Sequence, residues 1–268
     1  MKTEHLSKLL NWFEGKNSVL VALSGGVDSA LVAYSAYAKL GKSAIAVTAD
    51  YKTLAQEELE HAKKTSAEIG IKHIVIEYNE LVNESFVKND NNRCFYCRSE
   101  LSEHLLQVAK EFETDMIVDG TNIDDLGDYR PGVSALHQNG IRSPLAETRF
   151  SKKMVRETAK NVGLSVYDKP SNSCLASRIP WGQSVTAERL ARIEIGEKIV
   201  KQLTGAKQVR VRDMNGTAKI EVGVDELPLL KNNTVLQKIK NQLKLISFED
   251  VSIDPEGYRP GKINVITN

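Results

Sequence analysis

The sequence predicts an α/β protein: a doubly wound, mostly parallel sheet followed by a small C-terminal α+β domain. Three observations predict it. Short β-branched apolar runs alternate with longer amphipathic segments through the first half of the chain. A glycine pair separates the first run from its helix, and after residue 185 the alternation gives way to one helix and a hairpin signal.

The elements follow in order. Ser18 to Leu23 (SVLVAL) reads as a strand, SGGVDS as a turn, and Ala30 to Leu40 as a helix. Ser43 to Asp50 is the next strand and Leu54 to Ile69 its helix; Lys72 to Tyr78 is a strand, Phe95 to Phe112 a helix and Asp115 to Gly120 a strand. Such alternation implies right-handed crossovers, with ligands at the carboxyl ends of the strands. Thr121 to Arg149 is dense in Asp, Gly and Pro and reads as loop, and Ser151 to Val162 as helix. Asp168 to Gly182 (DKPSNSCLASRIPWG) has no period and reads as an ordered functional loop closing the first domain.

The pattern then changes. Thr186 to Leu203 is a helix with Thr186 as N-cap, although Arg189 stands where a capping box needs Glu or Gln. Asn215-Gly216 is the preferred type I′ pair between VRVRDM and TAKIEV. Counting outward sets Met214 opposite Thr217, Arg212 opposite Lys219 and Arg210 opposite Glu221. Val209, Val211, Ile220 and Val222 then share the core face, and Arg210, Arg212 and Glu221 the other, with Arg210 and Glu221 as a cross-strand ion pair worth under ~1 kcal/mol. A helix (Asp225 to Gln242) and a strand (Lys244 to Phe248) close the pattern, so the expected domains are 1–185 and 186–268. YRPG occurs twice, at Tyr129 to Gly132 and Tyr258 to Gly261.

Composition narrows the function classes. The 268 residues are 41% hydrophobic and 26% charged, which excludes a disordered chain, and no run approaches the roughly 20 apolar residues of a membrane span. Lys and Arg total 36 against 35 Asp and Glu, a net charge of +1, so any basic site is local and nucleic acid is not expected as a partner. The start, MKTEHLSKLL, lacks the apolar core of a signal peptide. With three cysteines, an odd number, a disulfide framework is not expected, and the protein reads as cytoplasmic with reduced thiols.

Three motifs carry chemistry. In Ser24-Gly25-Gly26-Val27-Asp28-Ser29 two glycines let backbone amides turn toward a phosphate, two serines add donors, and the helix N-terminus favours an anion. It is not the GxxxxGK[ST] pattern and contains no lysine. It resembles instead the PP-loop of ATP pyrophosphatases, with Asp28 helping to position Mg²⁺ and pyrophosphate. Downstream, Asp119, Asp124, Asp125 and Asp128 are candidates for Mg²⁺ or nucleotide, and Arg130, before Pro131, for a phosphate or carboxylate. Cys94 and Cys97 form a CxxC, with Cys174 in a distant loop. Three thiolates without a suitably spaced histidine suit a 4Fe-4S cluster with one open iron; a thioredoxin-type redox CxxC is the alternative. A reactive adenylate and an open iron together suggest sulfur delivery to an activated carbon.

SGGVDS, RCFYCRSEL, GTNIDDLGDYRPG, SNSCLASRIPWG, the VRVRD hairpin and GYRPGKIN, in that order over nearly the whole chain, resemble the LarE family of PP-loop sulfur transferases. The resemblance implies adenylation of the carboxylates of pyridinium-3,5-biscarboxylic acid mononucleotide by ATP, with Mg²⁺, and their conversion to thiocarboxylates for the nickel-pincer nucleotide of lactate racemase. It implies a nucleotide site of Ser24, Gly25, Gly26, Asp28, Ser29, Asp50 and Gly120. Ser177, Arg178, Arg210, Arg212 and Glu221, with Glu197 in support, would serve the substrate's phosphate and carboxylates; Cys174, Asp28, Ser177 and Arg178 would act in the chemistry. Cys94, Cys97 and Cys174 match the variant that holds a 4Fe-4S cluster, although Cys174 also occupies the loop of the sacrificial cysteine of the other variant. Arg98 stands where a lysine is common. A homo-oligomer is implied as well. Rival readings are a tRNA thiolase, which needs a basic tract or zinc ribbon, an amide-forming ligase of NAD synthetase type, and a nucleotide-binding protein without catalysis.

Overall fold

The computed structural model describes residues 2–126 and 131–259. Asp128 and Arg130, and the end of the second YRPG motif, lie outside the described residues. The chain packs as two compact units: residues 1–80 with 92–172, and residues 81–91 with 173–268.

The first unit holds the four-stranded parallel sheet. Helix α1 (Lys2–Trp12) precedes strand β1 (Val19–Ala22), helix α2 (Val27–Leu40), strand β2 (Ala44–Asp50), helix α3 (Gln56–Ile69) and strand β3 (Lys72–Glu77). Helix α4 (Arg93–Glu111), strand β4 (Ile117–Val118), helix α5 (Pro131–Gln138) and helix α6 (Lys152–Asn161) complete it. The strands run parallel in the order β3-β2-β1-β4, with Leu20 between Ile45 and Ile117. Because the chain moves outward from β1 to β3 and then returns to its other side, the strand order reverses next to β1, where open α/β sheets bind ligands. Successive side chains of a strand face opposite ways. Val19 and Val21 therefore pack with Leu31, Phe13 and Phe150 on one face, and Leu20 with Leu101, Leu105 and Ile141 on the other.

The second unit holds a one-turn helix (Glu84–Val87), helix α7 (Ala187–Thr204), strands β5 (Val209–Met214) and β6 (Thr217–Val222), helix α8 (Asn233–Leu245) and strand β7 (Asp250–Ile253). Thr186 caps α7, accepting from the Arg189 N–H at 3.3 Å. The hairpin has the expected register, Arg210 opposite Glu221 and Arg212 opposite Lys219, and its Asn215-Gly216 turn takes positive φ at both residues, 56° and 95°. β7 joins β6 in parallel, giving the sheet order β5-β6-β7. Buried Asn89, in the 81–91 segment, donates its side-chain amide to the carbonyls of Pro180 and Gln183 at 2.8 and 2.7 Å.

Two expectations are corrected. The Thr121 to Arg149 loop contains α5 and a helical turn at Pro144–Glu147, which bury Ala135, Leu136 and Leu145 despite the loop-like composition around them. No strand forms at Lys244 to Phe248: α8 runs through Leu245 with Ile239 and Leu243 buried one turn apart, Ser247 turns the chain at φ 71°, and the strand comes afterwards. Pro228 confines Val224–Lys231 to a 3₁₀ stretch, and Asn232 starts α8 by accepting from the N–H groups of Thr234 and Val235.

Candidate active site

In the first unit the SGGVDS turn joins β1 to α2. Gly25 has φ +76°, and a Cβ there would stand 2.3 Å from the Glu58 carbonyl oxygen, so glycine is required twice over. Gly120, just past β4, presses on the same turn: a Cβ on it would lie 2.6 Å from the Ser29 nitrogen. Buried Ser29 closes the turn from inside, accepting from the Ser24 N–H at 3.1 Å and donating to the Gly26 carbonyl at 3.2 Å. The Ser24 hydroxyl, on an exposed residue, lies 3.1 Å from that of Ser29. Gly26 occupies the N-cap of α2 with no side-chain cap, leaving the helix start to an anion. These features fit a pyrophosphate group. Asp50 ends β2, the neighbouring strand, and its carbonyl accepts from Tyr78.

Polar side chains from distant parts of the unit converge on this turn. Asp28 accepts from Asn122 Nδ2 at 3.1 Å and pairs with Lys152 Nζ. Lys169 Nζ donates to the Gly25 carbonyl at 2.9 Å and to Glu58 at 2.7 Å, and Asn172 donates to the other Glu58 oxygen at 2.9 Å. In a trans peptide the C=O and the following N–H point opposite ways. Fixing the Gly25 carbonyl on Lys169 thus turns the Gly26 N–H away from it. Lys152, Lys169, Glu58, Asn122 and Asn172 were not singled out from the sequence; only the Pro, Ser and Asn punctuation around Lys169 and Asn172 marked their segment.

The downstream aspartates hold their own loop. Asp119 accepts from the Thr121 N–H and hydroxyl and from the Ser143 hydroxyl, at 3.1, 2.6 and 2.7 Å. Asp125 completes a capping box with Asn122, and Asp124 accepts from the Lys152 N–H at 2.8 Å.

Cys94 and Cys97 stand three residues apart on the first turn of α4, hence on one side of it; Cys94 is exposed and Cys97 buried. The Arg93 guanidinium approaches Cys94 Sγ at 3.9 Å. This is the spacing two thiolates need to share one centre. Cys174 belongs to the second unit, and within neither unit do the described residues gather three His, Cys, Asp or Glu side chains able to hold a metal ion.

In the second unit the substrate candidates come together. Arg178 is fully buried on a 3₁₀ turn that starts just after Cys174. Its Nε and Nη2 donate to the two oxygens of Glu197 at 2.7 and 3.1 Å, and its Nη1 to the carbonyls of Ser173 and Cys174 at 2.6 and 3.0 Å. Burial opposes the Arg178 charge, yet Glu197 outweighs it and holds the pKa above the ordinary value. Arg212 bonds Glu221 through two nitrogens, at 3.0 and 2.8 Å, and donates to the Ser177 carbonyl at 2.8 Å. The ion pair is therefore diagonal, Arg212 with Glu221; Arg210, which faces Glu221 in the register, donates instead to the Val209 carbonyl at 2.7 Å. Nor is it a surface pair, since Arg210, Arg212 and Glu221 are 4%, 4% and 2% exposed. A long arginine side chain reaches the diagonal position readily. Tyr258 lies over both guanidinium groups, 5.1 and 6.0 Å from its ring centre. Burial, with repulsion from Arg178, pulls the Arg210 pKa down to about 10. Three buried guanidinium groups against two buried carboxylates leave this site electropositive.

Residues 13–87 match the asparagine synthase family. Over 264 residues the chain is 40% identical to an uncharacterised protein of Synechocystis, covering 98% of each. It is 31% identical over 253 residues to pyridinium-3,5-bisthiocarboxylic acid mononucleotide synthase of Lactiplantibacillus plantarum, covering 92% of this chain and 88% of that protein. The chain belongs to the LarE family. This makes it a PP-loop, ATP-using enzyme of a sulfurtransferase family. A Methanocaldococcus jannaschii protein is a further relative, 30% identical over 258 residues, with 95% and 97% of the two chains covered. No helix among the described residues is long and apolar enough to cross a membrane.

Proposed function

We propose that this LarE-family protein converts the carboxylates of pyridinium-3,5-biscarboxylic acid mononucleotide to thiocarboxylates, using ATP and Mg²⁺. The observation that carries the reading is the electropositive site tied by Arg178 to the backbone of Cys174. An anionic substrate carrying a phosphate and carboxylates matches an excess of buried guanidinium groups. Arg210 and Arg212 are the groups we assign to its anionic oxygens, while Glu197 and Glu221 hold the neighbouring guanidinium groups in place.

In the first unit the uncapped start of α2 and the Gly26 amide bind the polyphosphate of ATP, with Asp28 serving Mg²⁺. A substrate carboxylate oxygen attacks the α-phosphorus, the bond to the β-phosphate oxygen breaks, and pyrophosphate leaves. The resulting acyl adenylate has AMP as leaving group, which a sulfur nucleophile displaces. A 4Fe-4S cluster on Cys94, Cys97 and Cys174 supplies the sulfur carrier when bound, since three protein thiolates leave one iron open. The same reading carries a homo-oligomer working in the cytoplasm, and its product serves the nickel-pincer cofactor of lactate racemase.

The test is anaerobic reconstitution followed by pyrophosphate release with the dinicotinate nucleotide. We expect about four irons per chain, lost in Cys94→Ala, Cys97→Ala and Cys174→Ala alike, and pyrophosphate release that requires the nucleotide. Iron content and turnover unchanged in all three variants would remove the cluster. Conversion of Cys174 to dehydroalanine, read by intact mass after one turnover, would replace it with sacrificial transfer.

A further inference from the structure

The three guanidinium groups of the second unit are held by different chemistry. Arg178 and Arg212 rest on the carboxylates of Glu197 and Glu221. Against Arg210 stands an amide. Gln208, immediately before β5, accepts from Nη1 and Nη2 of Arg210 through its side-chain oxygen, both at 3.1 Å. The amide takes this orientation because the opposite one would set its NH2 group against the same donors. The Gln208 main chain is clamped on both sides, its N–H on Glu226 at 3.0 Å and its carbonyl on the Gly223 N–H at 3.1 Å. The oxygen is therefore delivered from a fixed backbone.

An amide oxygen orders a guanidinium group but does not neutralise it. The Val209 carbonyl and the face of Tyr258, which also hold Arg210, are uncharged as well. Glu197 attracts Arg210 too, yet burial and repulsion from Arg178 outweigh it. The buried Nε–H of Arg210 donates to neither the Gln208 nor the Val209 oxygen, and an oxyanion in the site would satisfy it. We propose that Gln208 is a positioning residue of the substrate site, aiming the Arg210 guanidinium at an anionic group of the substrate while leaving its positive charge intact. The inference rests on the substrate-site reading above and adds a residue that acts through Arg210.

Calorimetric titration of the full chain with pyridinium-3,5-biscarboxylic acid mononucleotide and, separately, with AMP, beside thermal melts, tests it. Gln208→Glu keeps an oxygen acceptor and adds a charge. We expect affinity for the mononucleotide to fall about tenfold or more, with AMP affinity held within about twofold. The melt should be unchanged or higher, because the new carboxylate compensates a buried cation. Gln208→Leu, which removes the acceptor, should lose affinity for the mononucleotide as well; should either variant lack a cooperative melt, the other decides. In an Arg210→Met background Gln208→Glu should change that affinity by less than about twofold. A full loss there would show the new carboxylate repelling the substrate directly and would overturn the proposal. Unchanged affinity in the single variants overturns it too, as does an equal loss for AMP, which would mark a structural role. If the unaltered protein does not bind the mononucleotide, the substrate-site reading itself falls and the inference with it.

Discussion

Lys169 donates to the Gly25 carbonyl at 2.9 Å while pairing with Glu58, whose own backbone oxygen fills the space a Gly25 side chain would need. One ammonium thus fixes both the turn's peptide and the helix wall behind it. Lys169→Met should release the peptide and leave the 8%-exposed Glu58 carboxylate with the Asn172 amide but without its Lys169 partner. We expect a loss of about 1–3 kcal/mol in urea denaturation, together with weaker pyrophosphate binding.

Gly120→Ala should act on the same turn from the other side. A methyl group 2.6 Å from the Ser29 nitrogen forces the start of α2 away from β4. Expected is a drop in ATP affinity of about tenfold or more, with near-normal far-UV circular dichroism. Affinity equal to that of the parent protein would show that the helix start does not touch the nucleotide.

Arg210 and Arg212, two residues apart on β5, should differ in sign. Arg212→Met leaves Glu221 buried without its partner and should cost about 3 kcal/mol or more. Arg210 is a buried base whose pKa is pulled down to about 10, so its charge opposes folding at neutral pH. Arg210→Met should leave stability unchanged or raise it by up to about 2 kcal/mol, while weakening substrate binding. Thermal melts at pH 7 with both variants check the contrast. The sign extends to alkaline pH: above about 10 the folded protein sheds the Arg210 proton before the unfolded chain does, so the penalty fades.

His73 should set part of the acid sensitivity. The Thr48 hydroxyl donates to the Leu23 carbonyl at 2.6 Å, so at the 2.7 Å contact it accepts from His73 Nε2–H. Burial, reinforced by Lys63, holds the His73 pKa below its ordinary value. The unfolded chain therefore binds the proton more tightly, and the stability from neutral His73 is present above 6.5 and lost as pH falls through the lowered pKa. His73→Gln retains an N–H donor without titrating. Urea midpoints between pH 7 and pH 5 should fall less steeply in that variant; parallel slopes would contradict the assignment.

Local chemistry decided what was legible in the sequence. The hairpin register followed from Asn215-Gly216, because few residue pairs take positive φ twice in succession. The glycine turn was legible because its glycine pair, of which Gly25 takes positive φ, stands between a strand and a helix. Lys152 and Lys169 were not, since they reach Asp28 and Gly25 from more than a hundred residues away. The Arg210–Glu221 pairing misled because register orders backbones, whereas a guanidinium group reaches diagonally. The strand after α8 was misplaced because the short apolar run of Leu245, Ile246 and Phe248 has no period that separates strand from helix, and the helix runs on through Leu245, itself 84% exposed.

The Leu81–Asn91 excursion gives this protein a fixed order of assembly during synthesis. Asn89 must find the carbonyls of Pro180 and Gln183, which emerge from the ribosome only after α4 and all four strands of the first sheet. The chain passes between its two units at 80, 91 and 172, so no single cut separates them. A fragment ending at residue 172 would carry the Asn89 side-chain amide without the Pro180 and Gln183 carbonyls, and one beginning at 173 would lack the side chain that holds its first loop. The sheet bearing the nucleotide turn can close early; the Cys174 loop reaches its final hydrogen bonds only when the late-made half folds back onto a segment made long before.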